Sequence, residues 1–172
     1  RRLYDLYADA SFPWEWHGPV KRRCDELGID FLSTPFDETA VDFLDDLGVE
    51  AFKIASFEIV DTPLIEYAAS KGKTMIMSTG MATLDEIGEA LEAARGAGND
   101  DVVLLRCCSE YPADPRDLNL ASIPDMRDRF GTRIGFSDHS MGHGADVVAA
   151  VLGACVVEKH FCLSREIETA DS

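Results

Sequence analysis

The sequence of 172 residues carries 32 acidic against 16 basic side chains, a net charge of -16, and 46% of it is hydrophobic. That supplies one substantial core, while the charge repels polyanions and argues against nucleic acid or an anionic membrane as a partner. No apolar run is long enough to span a bilayer, so a cytoplasmic protein is expected.

The basic residues are skewed, with Arg outnumbering Lys by 11 to 5. Together with the acidic excess, this suits a salt-rich interior in which dissolved ions screen self-repulsion. Five cysteines, Cys24, Cys107, Cys108, Cys155 and Cys162, form no CxxC pair and are odd in number, which argues against a disulfide framework. Cys107, Cys108 and Cys155 lie in or beside apolar runs, where free Cys is expected as a small buried hydrophobe.

In chain order, Pro13 to Leu27 reads as a helix, opened by Pro13 and stopped at Gly28. Strand-like runs follow near 30–35, 51–56, 74–78, 102–107, 133–137 and 155–160. Between them lie helical patterns at Glu38 to Leu47, Thr62 to Lys71, Thr83 to Ala97, Asn119 to Phe130 and His143 to Leu152. Thr83 stands three residues before Glu86, the signature of a capping box. Six strands alternating with helices imply parallel pairing through right-handed crossovers, hence an α/β architecture. Both GxGxxG and GxxxxGK[ST] are missing, which removes the usual nucleotide fingerprints of open sheets.

Each apolar run ends in a chemically capable cluster. These are Ser33-Thr34-Pro35, Lys53-Ile54-Ala55-Ser56-Phe57-Glu58, Ser78-Thr79-Gly80, Cys107-Cys108-Ser109-Glu110-Tyr111, Ser137-Asp138-His139-Ser140 and Glu158-Lys159-His160. Chemistry at every strand end favours a (β/α)8 TIM barrel over an open sheet, whose site gathers at one switch point. Six strands are two short of eight, so this is expected to be a six-strand portion without the first two strand-helix units. The start on Arg1-Arg2 and the end straight after a motif both read as cuts. Bare edges at the strands beginning near Asp30 and Val156 are then expected to make the segment unstable or oligomeric by itself.

His139 and His160 end the last two strands, where two imidazoles can grip one divalent ion and leave positions open, with Asp138 and Glu158 available to orient the rings. His17 and His143 read as helix-surface residues. Lys53 can hold a phosphate or carboxylate, or form a Schiff base if its pKa is depressed. Thr34, Ser56, Ser78, Ser109 and Ser137 surround it as a cradle for a small anion.

STPFDETAVDFL at 33–44, FKIASFEI at 52–59, IMSTGMATLDEI at 76–87, CCSEYPA at 107–113, and GFSDHS followed by EKHF resemble the sialic acid synthase family along essentially the whole chain. LYDLY at 3–7, FPWEW at 12–16 and SREIETADS at 164–172 are most similar to its pseudaminic acid synthase branch. The resemblance implies a transferase that condenses phosphoenolpyruvate with the aldehyde of an N-acetylated amino sugar. The product is a nonulosonic acid, with release of phosphate. For the branch, the sugar is 2,4-diacetamido-2,4,6-trideoxy-L-altrose and the product pseudaminic acid. N-acetylneuraminate or legionaminate synthesis, a pyruvate-class aldolase or lyase, and an inactive fragment are the alternatives. The resemblance further implies a divalent metal (Mn²⁺, or Mg²⁺ or Co²⁺) on His139 and His160, with Lys53, Thr34, Ser56, Ser78 and Ser109 on the phosphate. Ser137 would take the carboxylate, while Glu58 acts in catalysis and lines the sugar side with Tyr111 and Asp171. Residues 1–172 would be part of the synthase barrel of a homodimer whose C-terminal antifreeze-like domain lies outside this sequence.

Overall fold

A computed structural model describes residues 2, 4–5, 11–164 and 166. Helices α1 (Trp14–Leu27) and α2 (Glu38–Leu47) come first, followed by strand β1 (Ala51–Ile54) and a 3-10 turn, Glu58–Val60. Then α3 (Thr62–Ala69), β2 (Thr74–Ser78), α4 (Leu84–Gly96), β3 (Val102–Cys107), α5 (Ser122–Phe130), β4 (Arg133–Asp138), α6 (Gly144–Val151) and β5 (Val157–Lys159) alternate. The strands form one parallel sheet in the order β1-β2-β3-β4-β5, five strands of a curled half-barrel.

Local chemistry explains the helix ends. Gly28 and Gly48 stop α1 and α2 with φ of 67° and 75°, a left-handed conformation that only glycine adopts cheaply. At the start of α4, Thr83 accepts from Glu86 N (3.3 Å) while Glu86 Oε2 accepts from Thr83 N (2.7 Å), so the capping box expected from the sequence is present. Helix α5 starts three residues later than the periodicity indicates, because Asn119 has φ of 46° and forms a turn to Ser122 (3.0 Å).

One strand is fewer than expected. Residues 30–35 have strand composition, yet among the described residues they join no ladder, so the sheet has five strands rather than six. The ladders on either side of β2, β3 and β4 bury near-continuous apolar runs, with Phe52, Met75, Leu104 and Phe136 inaccessible. By contrast α6 and β5, the last helix and strand, leave Val147, Val151 and Val157 exposed, Val151 to 82%.

The N-terminal ends of the strands are closed by polar contacts. Thr74 donates to Asp101 (2.5 Å), Arg133 pairs with Asp101, and Lys73 donates to Val49 O (2.8 Å). Buried Asn99 donates to Lys73 O (2.7 Å) and Ala69 O (3.2 Å), and its Oδ1 accepts from Asp101 N (2.9 Å). Among the described residues no helix is long and apolar enough to cross a membrane.

Candidate active site

Strand register assembles the site in rows. Ser78 stands opposite Leu105, which stands opposite Gly135; one layer further on, Cys107, Ser137 and Glu158 are successive partners across β3, β4 and β5. Side chains of one parity share a face, so this second row points into the barrel interior. Gly135 is needed where it lies, because a Cβ there would meet Leu105 Cδ2 at 2.5 Å and Val156 O at 2.7 Å. The row above rests on that floor.

A cavity of about 350 Å³ opens above it, lined by Thr34, Lys53, Ser56, Ser78, Ser109, Tyr111, Ser137, His139 and His160, together with Ala55, Phe57, Cys107, Glu158 and Lys159. Nine of the side chains expected to touch metal or substrate thus meet in one place. A larger surface groove of about 410 Å³, lined by Glu110, Pro112, Ala113, Asp114, Pro115 and Met141, has no cation or imidazole in its wall. The chemically capable side chains gather in the smaller cavity.

Lys53 forms part of its wall. Its ammonium donates to Ser78 Oγ (2.9 Å) and Ile54 O (3.0 Å) and pairs with Glu158 Oε2 at 3.5 Å. Burial pushes the Lys53 pKa down, and the Glu158 carboxylate opposes that shift. Glu158 in turn accepts from Ser137 Oγ (2.6 Å). Its role therefore differs from the expectation that it orients an imidazole: it bridges the lysine and Ser137.

Gly80 makes the hydroxyl cluster possible. A Cβ there would overlap Ser109 Oγ and come within 2.9 Å of Ser56 Oγ and 3.2 Å of Cys107 Sγ. With no side chain, Gly80 N donates to Ser56 Oγ (3.2 Å), and Cys107 Sγ lies 3.6 Å from Ser56 Oγ and 3.8 Å from Ser109 Oγ. Cys107 is buried, as expected, but polar contacts surround it. Burial raises its pKa, and hydrogen bonds from His139, Ser56 and Ser109 more than offset this, bringing the thiol to about 7. Cys155 departs from the expectation outright, being exposed where the chain turns into β5.

The histidine corner is built on the next two strand ends. The His139 and His160 rings lie 5.1 Å apart, and Tyr111 packs against them at 4.1 Å and 5.3 Å. His139 Nδ1 lies 2.7 Å from Cys108 O, so this nitrogen carries the proton in the neutral ring and Nε2 keeps the lone pair. Burial lowers the His139 pKa, but the Cys107 sulfur and the Cys108 carbonyl outweigh it and raise the pKa overall. Asp138, expected beside a ring, instead accepts from Lys159 and from Ser140 N (2.8 Å). Among the described residues no group of three His, Cys, Asp or Glu is gathered as a metal cluster. Two imidazoles, one with its tautomer fixed by a carbonyl, nonetheless fit a divalent ion that keeps other positions for water or substrate.

One expected site residue lies elsewhere, and another falls outside the described residues. Glu58 begins the 3-10 turn outside the cavity wall; its Oε2 is buried without a hydrogen-bond partner, and burial raises its pKa against the pull of Lys53. Asp171 lies outside the described residues. Cys107, expected only as a buried hydrophobe, lines the cavity as well, and its parity with Ser137 is the signal that marks it. Sequence reading passed over the space requirement at Gly80. His17, read as a surface residue, is buried at 6% exposure; His143 is exposed, as expected.

The sequence profile of the NeuB family matches residues 1–172. The chain belongs to the NeuB family. This NeuB-family chain is 42% identical over 170 residues to the pseudaminic acid synthase of Helicobacter pylori, covering 99% of itself and 50% of that protein. It is 37% identical over 172 residues to the N,N'-diacetyllegionaminic acid synthase of Legionella pneumophila, covering 98% and 48%. The crystal structure of an N-acetylneuraminic acid synthetase from Leptospira borgpetersenii, in complex with citrate, superposes with a TM-score of 0.92 at 34% identity, covering 97% of this chain and 58% of that one. The NeuB-family chain thus spans about half the length of the curated relatives it matches.

Proposed function

We propose that this chain carries the catalytic cavity of a nonulosonic acid synthase that joins phosphoenolpyruvate to the open-chain aldehyde of an N-acetylated amino sugar and releases phosphate. The observation that carries the reading is one cavity with a buried lysine, a ring of hydroxyls and two adjacent imidazoles, in a chain similar to named pseudaminic and legionaminic acid synthases. The preferred sugar is 2,4-diacetamido-2,4,6-trideoxy-L-altrose, giving pseudaminic acid, because three pseudaminic acid synthases are 40 to 42% identical over 99 to 100% of this chain, whereas the N,N'-diacetyllegionaminic acid synthase of Campylobacter jejuni, at 44% identity, aligns with 90% of it.

Lys53 with Thr34, Ser56, Ser78 and Ser109 holds the phosphate, supplying one positive charge and several donors where water is largely excluded. Ser137 turns its hydroxyl from Glu158 toward the substrate carboxylate, since its single proton serves one acceptor at a time. Tyr111, 56% exposed at the mouth, faces the sugar. Carbon 3 of the enol phosphate is a weak nucleophile, so the cavity must hold it in attack geometry on the aldehyde carbon. Water then adds at carbon 2 and phosphate leaves by C–O cleavage. A divalent ion held by His139 and His160 supplies Lewis-acid polarisation of the aldehyde oxygen when bound. Burial lowers the Lys53 pKa in the direction a Schiff-base aldolase needs, but the Glu158 carboxylate beside the ammonium favours its charged form, which cannot attack a carbonyl and suits a phosphate clamp.

The test is phosphate release by the complete gene product from phosphoenolpyruvate with the L-altrose derivative, N-acetylmannosamine and the legionaminate precursor in parallel. Phosphate release dependent on one of these sugars supports the synthase and names its substrate. Borohydride trapping of pyruvate on Lys53 without phosphate release would establish the aldolase instead.

A further inference from the structure

Every cavity-lining residue but one sits on, or within four residues of the end of, a strand held by ladder hydrogen bonds. Thr34 is the exception, since residues 30–35 form no ladder among the described residues. The tertiary hydrogen bond that this segment does make runs from Ser33 to His17, at 3.4 Å from Oγ to Nε2.

His17 is built for that contact. It lies in the first turns of α1, enclosed by Phe12 (ring centroids 4.7 Å apart), Phe43 (5.2 Å) and Phe31 (6.0 Å), all edge-on. Its Nδ1 lies 3.2 Å from both Pro13 O and Trp14 O. Carbonyls only accept, so Nδ1 carries the proton and the neutral ring presents a lone pair at Nε2 to the Ser33 hydroxyl. Phe31 and Ser33, two residues apart, both meet His17, while Thr34 lines the cavity wall, the alternation that an extended backbone produces. Anchoring Ser33 on the helix side therefore holds Thr34 on the cavity side.

The geometry points to His17 as a positioning residue that holds Thr34 in the anion-binding wall through Ser33. The inference rests on the phosphoenolpyruvate reading of the cavity. It assigns the aromatic entrance of α1 a part in substrate affinity although His17 lies outside the cavity lining.

The test compares His17→Phe, Ser33→Ala, the double variant and Thr34→Val in the complete gene product. His17→Phe keeps an aromatic ring in the cluster, and Ser33→Ala removes one hydroxyl, so a folding defect in the first leaves the second to report. The expected result is a rise of about fivefold in KM for phosphoenolpyruvate in each single variant, the scale of the net contribution of one ordinary hydrogen bond. The double variant should be no worse than the singles, with KM for the sugar and thermal midpoint nearly unchanged. An unaltered phosphoenolpyruvate KM in Ser33→Ala would overturn the inference, as would additive effects of the two changes or an unaltered KM in Thr34→Val. Should the unmodified protein release no phosphate from phosphoenolpyruvate, the functional reading has failed. Calorimetric titration with inorganic phosphate then decides the positioning role alone: about fivefold weaker binding in Ser33→Ala upholds it, and equal binding rejects it.

Discussion

The two ends of the sheet use polar residues in opposite ways. At the N-terminal end Asn99, Thr74, Asp101, Arg133 and Lys73 spend their hydrogen-bonding capacity on one another and on backbone carbonyls. At the C-terminal end Lys53, Ser56, Ser78, Ser109, Ser137 and the histidines line a cavity. Similar residue types thus close one rim and furnish the other, and the difference lies in whether the partner is protein or an open volume. Substitutions should separate accordingly, affecting activity at one end and stability at the other.

The largest effect is expected from Lys53→Met in the complete gene product, which keeps the alkyl stem and removes the charge. Activity measured by phosphate release should fall by about a thousandfold while the circular dichroism spectrum is retained, as when a preorganised charge is deleted from a site. Removal of divalent metal should likewise stop phosphate release, with recovery on adding Mn²⁺; full activity in the presence of a strong chelator would count against the His139 and His160 assignment. Gly80→Ala comes next, because the added methyl overlaps Ser109 Oγ and crowds Ser56 and Cys107. Its KM for phosphoenolpyruvate should rise by about 10- to 100-fold, since small displacements of binding groups are costly.

At the opposite end, Asn99→Ala should leave the kinetic constants intact and cost about 2 kcal/mol in urea unfolding, because it strands the carbonyls of Ala69 and Lys73. Loss of activity without loss of stability would erase the contrast between the rims. The smallest effect is expected at Glu58. Burial raises its pKa, so its ionised form is disfavoured in the folded chain and its contribution falls as pH rises from the usual carboxylate range through the raised value. Glu58→Gln should therefore raise the thermal midpoint modestly at pH 7 and hardly at all at pH 4; a larger gain at pH 4 would reverse the sign.

The legibility of the chain follows the range of the forces involved. Caps are local, so Thr83 with Glu86 and the stops at Gly28 and Gly48 could be read from a few residues. Pairing is not local, which is why residues 30–35 carry the composition of a strand yet join no ladder among the described residues. Residue chemistry located nine lining side chains, but only strand parity separates Cys107 from Cys108 and gives Glu158 its place beside Ser137. Glu58 was lost to a 3-10 turn that sequence periodicity does not announce, and His17 to partners supplied by Phe31, Ser33 and Phe43 from beyond its own helix.

The bridge from Lys53 through Glu158 to Ser137 has a consequence for how an anion enters. A buried ammonium facing an empty hollow would bear the full cost of desolvation, but here Glu158 acts as a resident counter-ion. Under the proposed function, arrival of a substrate anion would exchange one negative partner for another. The lysine would then never be left bare between turnovers, and the displaced carboxylate would resume its place when phosphate departs.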